Sequence, residues 1–350
     1  MSSPFINSSS DDIEIITRIN SCFEEYDSDP FVLGNQIFRF PPRKGRLSFY
    51  PISKNLRMLA TSYSKSIAGG TSFRISNRPR RGEINFVKSV LGWSSWYPWI
   101  WVRHLQQEAM PLSRAWQTYF ESDFSMRKFR GKRFRVRKCL EPLDVLASRF
   151  VLYCEALSRL FILSNYSKAY VSSNLNLELL ELPFIALHIR RGENVSKDGS
   201  WIRPGFTFVS LEEYVRSINE LATNLEINRI YLACDSVSDM DEVKLRLENH
   251  YEIFSLNLDR SRFVRHVQGH IEDVETWCQR NNNEIPFYTL SGIAELFAFS
   301  NSSGIVGSIG SSEFAKTGWL LACSRKRRLV PFVSLGLPVE LSDPTLVEMN

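Results

Sequence analysis

Two adjacent arginines stand where a short apolar run ends. Arg190 and Arg191 follow Phe184 to Ile189, a run typical of a buried strand that begins after a proline. A guanidinium stays charged at every working pH, and its planar fork matches the oxygens of a phosphate. Adjacent side chains leave a strand on opposite sides, so one arginine can face a ligand while the other braces the loop. The alternative is a surface arginine pair in a turn.

Three further places suit an anionic or polar ligand. Asp235 ends a second apolar run, where it can hold a ribose, a base or a loop amide, or cap a helix. The turn Gly310-Ser311-Ser312 offers backbone N–H groups and hydroxyls at a helix start, which suits a phosphate, although an ordinary N-cap has the same pattern. Glu295 lies inside an apolar helical run, where a carboxylate needs a partner. An arginine from the first strand is the expected one.

These residues lie between strands and helices that alternate along the second half of the chain. Apolar runs and periodicity predict strands at 184–189, 229–234, 252–256, 304–309 and 329–333, and helices at 211–225, 238–250, 287–300 and 311–323. Ser210 to Glu213 forms a capping box, and Val243, Leu245 and Leu247 are expected on the apolar side of the next helix. Alternation of this kind predicts βαβ crossovers and a parallel sheet. Ligands bind such sheets at the carboxyl ends of the strands, where the candidate residues fall.

The first half of the chain is less regular. The 350 residues suit two domains, with 1–182 as an N-terminal α/β lobe and 183–350 as a Rossmann-like lobe. The four tryptophans within 91–102 either line a sugar pocket or form a wall of the core, which is favoured. The basic-aromatic alternation at 127–138 either grips phosphate or describes a half-exposed strand, which is favoured. The apolar stretch at 145–163 carries charges and predicts a buried helix.

Composition and missing motifs exclude several classes of protein. A 43% apolar share argues against disorder, and 43 basic against 38 acidic residues give a net charge of +5, too mild to argue for nucleic acid. No signal peptide and no membrane anchor are expected. Dinucleotide, P-loop and nucleophile-elbow motifs are absent, and the six cysteines form no CxxC pair that would favour zinc. His266 and His270 suit a metal only if helical, and are expected at the surface.

As an ordered set, these motifs resemble the α-1,6-fucosyltransferase family and, more distantly, the O-fucosyltransferases. Leu187 to Arg191 is similar to the family's strand ending in His-Val-Arg-Arg, and Tyr231 to Asp235 is similar to its Tyr-Leu-Ala-Thr-Asp strand. Glu295 and Ser300 stand where the family has an Asp five residues before a Ser. Ser311 to Glu313 is similar to its Ser-Ser-Gln helix start. The resemblance covers about residues 143–333.

The resemblance implies a two-lobed GT-B fold and an inverting transfer of fucose from GDP-fucose to a glycan hydroxyl, with N-glycan core fucosylation as the expected reaction. Arg190 would neutralise the β-phosphate of the leaving GDP, because a fixed guanidinium stabilises charge where it develops. A carboxylate ten residues beyond His188 would act as general base, and Asp198 holds that position. The family works without a divalent metal, so no metal and no cofactor are expected.

The same resemblance implies a set of donor-binding residues: His188, Arg191, Asp235, Glu295, Ser311 and Ser312. Asp235 and the two serines would contact guanosine and phosphate, and Glu295 would bind the guanine edge or position an arginine. The expected partners are GDP-fucose and a glycan or glycoprotein acceptor. The expected location is the Golgi lumen.

The chain also departs from the family. Gly192-Glu193-Asn194 stands where the family has Thr-Asp-Lys, and no counterpart is expected for its N-terminal stalk or its SH3-like module. Three hypotheses therefore stay open. The first is a glycan fucosyltransferase. The second is a protein O-fucosyltransferase or another nucleotide-sugar transferase with the same donor lobe. The third is a non-catalytic protein that binds a nucleotide sugar or a glycan.

Overall fold

The computed structural model describes residues 10–26, 37–39, 56–57, 60–61, 74–76, 119–120, 142–190, 209–234, 236–263, 266–267, 270–271, 285–310 and 312–341. The helices are α1 (Ser10–Tyr26), α2 (Pro142–Leu160), α3 (Asn165–Asn174), α4 (Glu178–Glu181), α5 (Leu211–Leu225), α6 (Val237–Leu247), α7 (Ile285–Asn301) and α8 (Glu313–Lys326), with a 3-10 turn at Arg260–Phe263. The strands are β1 (Ile37–Arg39), β2 (Arg74–Ser76), β3 (Ile185–Ile189), β4 (Arg229–Cys234), β5 (Glu252–Phe254), β6 (His266–Val267), β7 (His270–Ile271), β8 (Gly304–Gly307) and β9 (Phe332–Ser334).

A five-stranded parallel sheet stands at the centre, in the order β5-β4-β3-β8-β9. Ile185 of β3 pairs with Ile230 of β4 on one side and with Gly304 of β8 on the other. The chain runs outward from β3 to β5, returns to β8, and runs outward again to β9. The strand order therefore reverses between β3 and β8, which is where open α/β sheets bind ligands. The α/β class with a C-terminal parallel sheet is confirmed.

Both faces of the sheet are covered, because successive side chains of a strand point to opposite faces. Ile185, Leu187 and Ile189 join a buried cluster with residues of α5 and α6. Phe184 and Ala186 join the cluster that contains α7 and α8. Every residue of β3 is buried, which explains why its sequence is a continuous apolar run rather than an alternating one.

Two helices on the first face show how local sequence sets their ends and orientation. The hydroxyl of Ser210 accepts a hydrogen bond from the Glu213 N–H at 3.1 Å, so the predicted cap of α5 is confirmed. In α6, Val243 and Leu247 are buried, but Leu245 is 68% exposed, so its placement on the apolar side is wrong. At about 100° per residue, Leu245 points roughly 200° away from both neighbours.

Helix α2 packs against α8, and α1 packs against α2. The ring centroids of Phe150 and Trp319 lie 5.5 Å apart, and those of Phe23 and Phe150 lie 6.4 Å apart. Residues 150–157 of α2 are all buried, so the predicted buried helix is confirmed. Helices from the first half thus share a core with the sheet layer, while the division into lobes at residue 183 stays a prediction.

Other sequence predictions concern regions outside the five-stranded sheet. The tryptophans of 91–102 and the basic stretch 127–138 lie outside the described residues. Strands β1 and β2 form a separate parallel pair, with Ile37 opposite Arg74. His266 and His270 lie on the antiparallel strands β6 and β7, so the helical spacing that suits a metal does not arise. Within the described part of the chain, no helix has the length and apolar character needed to cross a bilayer.

Candidate functional site

Arg190 lies at the switch point of the sheet. It follows β3 directly and is half-buried, beside the carboxyl end of β8. Its charge acts on His188, two residues earlier in the strand. Four of the other predicted site residues, Arg191, Asp198, Asp235 and Ser311, lie outside the described residues, so their roles stay predictions.

His188 is a buried imidazole at the same place. Its ring stacks on Phe314 at 5.4 Å and meets the edge of Phe299 at 6.0 Å. Burial, and then the charge of Arg190, lower the pKa of His188 to about 3, so the ring is neutral at neutral pH. Among the described residues, none hydrogen-bonds its buried Nδ1. A buried nitrogen in this state carries a cost that a ligand can relieve.

A glycine on β8 makes room for the Cβ and the backbone of His188. Gly307 lies opposite His188 in the register of the sheet. A Cβ added to Gly307 would come within 3.2 Å of both the Cβ and the carbonyl oxygen of His188, closer than most real contacts. The switch point is therefore tightly packed beneath the candidate site.

The turn between β8 and α8 is held by hydrogen bonds on several sides. Ser312 is the N-cap of α8: its hydroxyl accepts from the Ala315 N–H at 3.3 Å, and its own N–H donates to the Ser308 carbonyl at 2.7 Å. The ordinary N-cap expected as the alternative is therefore present. The cap uses a lone pair of the hydroxyl oxygen and not the hydroxyl proton, and Ser312 is 2% exposed.

The two ends of this turn contact other elements. The hydroxyls of Ser308 and Tyr214 lie 3.2 Å apart, which ties the turn to α5. The Gly310 N–H donates to the hydroxyl of Ser334 at 3.0 Å. A Cβ at Gly310 would lie 2.5 Å from the carbonyl oxygen of Leu337, so the close approach of this backbone requires glycine. These contacts hold Ser308 and Gly310 in place without a ligand.

The carboxyl end of β4 carries a different arrangement. Arg260 donates from Nη1 to the Cys234 carbonyl at 2.6 Å and from Nη2 to Glu295 Oε1 at 3.1 Å. Both side chains are largely buried, at 8% and 15% exposure. Burial alone would lower the pKa of Arg260, but the charge and hydrogen bond of Glu295, together with Tyr231, outweigh it and raise that pKa, so the guanidinium stays charged.

Arg260 holds the place that the sequence assigned to an arginine of the first strand. It lies in an aperiodic polar stretch after β5, where no local pattern marks it as important. A second arginine gave no sequence signal either. Arg57 is 1% exposed and forms an ion pair with Glu313, in the first turn of α8. Its segment belongs to the irregular first half of the chain.

Within the described residues, no group of three histidines, cysteines or acids could hold a metal ion. The polar groups at the end of β3 and at the start of α8 are donors: a guanidinium, a serine hydroxyl and a helix N-terminus. Donors of this kind suit a phosphorylated ligand better than a cation.

The sequence matches no protein-family model, and no curated protein matches it. Solved structures do resemble the fold. The α-1,6-fucosyltransferase NodZ soaked with GDP-fucose aligns at a TM-score of 0.40 with 13% identity, over 83% of this chain and 92% of that one. NodZ from Bradyrhizobium aligns at 0.39 with 13% identity, over 88% and 96%. POFUT1 in complex with GDP-fucose aligns at 0.33 with 11% identity, over 96% of each chain.

These structural neighbours are fucosyltransferases. At these TM-scores and identities the likeness supports no conclusion about this chain.

Proposed function

We propose that the chain is a glycosyltransferase that takes fucose from GDP-fucose. The observation that carries this proposal is the switch point. There a half-buried arginine, Arg190, stands beside a neutral imidazole whose Nδ1 has no hydrogen-bond partner among the described residues, and that ring stacks on Phe314 in the first turn of α8. These groups suit a diphosphate, whose negative charge they would meet without a metal.

The reaction demands charge stabilisation at the leaving group. As the bond between fucose and the β-phosphate breaks, negative charge grows on the diphosphate, and a fixed guanidinium stabilises it. Arg190 takes this role. Ser312 and the backbone of its turn would hold the phosphates in place, and His188 would accept or donate one hydrogen bond as a neutral ring.

The other residues complete the proposal. Asp198 would deprotonate the acceptor hydroxyl, Asp235 and Ser311 would bind guanosine and phosphate, and Arg191 would orient the donor or its loop. Glu295 would position Arg260 at the end of β4, an assignment that their 3.1 Å hydrogen bond supports. The reaction would need no divalent ion.

The finer assignment rests on the family resemblance of the motifs. We propose an inverting, metal-independent transfer to a glycan hydroxyl in the Golgi lumen, with the core of an N-glycan as the first acceptor to test. Protein serine or threonine is the second acceptor class, since the O-fucosyltransferases share the motifs more distantly.

The donor site is tested by calorimetry with GDP, GDP-fucose, GDP-mannose and UDP-GlcNAc, with EDTA present throughout. We expect GDP and GDP-fucose to bind without metal and UDP-GlcNAc to bind far more weakly. If none of the four binds, the transferase proposal is wrong and a non-catalytic chain is the better hypothesis.

Arg190→Ala tests the catalytic role. Loss of a fixed charge of this kind costs about 2.7 kcal/mol or more in the transition state, so turnover of GDP-fucose should fall by about 100-fold or more. Arg216→Ala is the matched control, because Arg216 lies on α5 with its side chain 68% exposed. Turnover of Arg190→Ala within about tenfold of the unaltered protein would refute the leaving-group role.

A further inference from the structure

The first turn of α8 contains a charge that opposes the proposed ligand. Glu313 follows Ser312 directly, and its side chain is 48% exposed. A carboxylate is itself stabilised at a helix N-terminus, so it competes there with a phosphate for the same partial positive charge. Left alone, it would also repel the phosphate directly.

Arg57 lies against that carboxylate. Its Nη1 donates to Glu313 Oε2, and only 1% of the arginine is exposed. Burial alone would lower the pKa of Arg57, but Tyr153 and Glu313 outweigh it and raise that pKa, so the guanidinium stays charged. The positive charge is thus permanent and next to Glu313.

Tyr153 of α2 fixes the position of this arginine. Arg57 Nε donates to the Tyr153 phenol oxygen at 3.1 Å, and the phenol donates back to the Arg57 carbonyl at 3.2 Å. The guanidinium carbon also lies 5.9 Å from the centroid of the tyrosine ring. Both residues are buried, so little freedom remains to the arginine.

A separate observation points to a ligand at this place. The imidazole of His188 stacks on Phe314, the residue after Glu313, and its buried Nδ1 has no hydrogen-bond partner among the described residues. His188 is 8% exposed, and the positive charge of Arg190 lies close enough to depress its pKa. A polar nitrogen and a positive charge therefore accompany the start of α8.

We propose that Arg57 is a positioning residue that neutralises Glu313, so that the first turn of α8 accepts the phosphates of a nucleoside diphosphate. This inference rests on the proposed function and adds a residue from the first half of the chain to the donor site. Arg57 acts through Glu313 and does not touch the ligand.

Binding of guanosine, GMP and GDP by four proteins tests this role: the unaltered chain, Arg57→Gln, Glu313→Gln and the double variant. Arg57→Gln should weaken GDP binding by about tenfold, GMP binding less, and guanosine binding not at all, because an unpaired carboxylate repels in proportion to ligand charge. Glu313→Gln should bind GDP as tightly as the unaltered chain or more tightly. The double variant should recover the affinity that Arg57→Gln loses.

Two controls separate charge from folding. Arg57→Lys keeps the charge and should keep most of the GDP affinity. Glu242→Gln makes the same chemical change in an exposed Arg–Glu pair on α6, whose glutamate is 46% exposed, and should leave GDP binding unchanged. If Arg57→Gln does not fold, Glu313→Gln still decides, because weaker GDP binding in that variant would mean that Glu313 itself serves the ligand.

The outcomes distinguish the two proposals. If the unaltered chain binds no guanine nucleotide, the proposed function fails and this inference fails with it. If the unaltered chain binds GDP but Glu313→Gln does not rescue Arg57→Gln, only the role of Arg57 is wrong. Equal losses for guanosine and GDP in Arg57→Gln would also overturn it, since a packing defect ignores ligand charge.

Discussion

Two regions at the carboxyl edge of the sheet differ in whether their polar side chains have partners within the described part of the protein. At the end of β4, Arg260, Glu295 and the Cys234 carbonyl satisfy one another inside the protein. At the switch point between β3 and β8, His188 keeps a buried nitrogen without a partner among the described residues. The first region joins α7 to the end of β4 through Arg260, a contact that we call the latch. In the second region, the buried nitrogen of His188 can still bind a ligand.

Arg57 and Arg260, two of the three arginines that are buried in the described part of the chain, repeat this contrast. The partner of Arg260 is 15% exposed, whereas the partner of Arg57 is 48% exposed. A carboxylate that is nearly buried serves the fold, because removing its partner strands a charge away from water. A half-exposed carboxylate at a helix start can also act on what binds beside it. The two pairs thus differ in the burial of the acid. Exposure of the acid does not mark a site by itself, because buried Arg229 pairs with Glu252, which is 54% exposed, at the amino end of β4.

Arg260→Ala should give the largest change in stability. It leaves Glu295 and the Cys234 carbonyl without their buried partner, and breaking such a pair costs about 3–5 kcal/mol. The free energy of unfolding in urea measures the loss. The double variant Arg260→Met, Glu295→Leu should recover much of it, because no stranded charge remains. A loss below about 1 kcal/mol in Arg260→Ala would show that this region is not a latch.

Acid should destabilise the switch point through His188. In the unfolded chain a histidine binds a proton below about pH 6.5, but the folded pKa is about 3. The unfolded state therefore holds more protons between these values, and the free energy of unfolding falls as pH decreases through this window, by about 1.4 kcal/mol per pH unit at most. His188→Phe should lose this slope in urea titrations at pH 4, 5, 6 and 7. Parallel curves for the two proteins would contradict the buried, neutral imidazole.

Substitutions at two glycines of β8 test whether the carboxyl edge of the sheet differs from its amino edge in its effect on GDP binding. Gly307→Ala would press a methyl group against the Cβ and backbone of His188 at 3.2 Å, and Gly304→Ala would meet the flexible end of Leu225 at 2.8 Å. Each should cost about 1–3 kcal/mol in stability, as overpacking does. Only Gly307→Ala should also weaken GDP binding, measured by calorimetry. Equal weakening in both variants would remove the distinction between the two edges.

The smallest loss of stability should come from breaking an exposed Arg–Glu ion pair. Arg246 pairs with Glu242 on α6, with both side chains more than 40% exposed. Arg246→Ala should cost only about 0.3–0.5 kcal/mol, because water screens the pair. The loss should shrink further in 0.5 M salt. A cost near that of Arg260→Ala would mean that burial does not explain the difference between the two pairs.

Much of the C-terminal fold can be predicted from local sequence. The bounds of β4 agree with the predicted strand at 229–234, and Ser210 caps α5 as its pattern indicates. Both signals are local: an apolar run fills a strand that is buried on both faces, and a serine oxygen reaches an N–H three residues away. Leu245 is the exception: its apolar type predicts burial, but its angle around the helix places it 68% exposed.

Only part of the candidate site could be predicted from the sequence. Arg190 and Ser312 stand at a strand end and a helix start, which local patterns mark. Arg260 and Arg57 were missed because their partners are distant, 35 residues away for Arg260 and 256 residues away for Arg57. Neither segment has a periodicity that would single out the arginine.

By itself, then, the sequence determined the elements, their alternation and the residues at their ends, because those depend on side chains a few positions apart. The tertiary structure alone decided the strand order that reverses between β3 and β8, and with it which charges meet. Glu295 pairs with Arg260, and Glu313 pairs with Arg57, because segments that are distant in the sequence pack together. Ion pairs of this kind depend on which distant segments pack together, and no local sequence pattern predicts that.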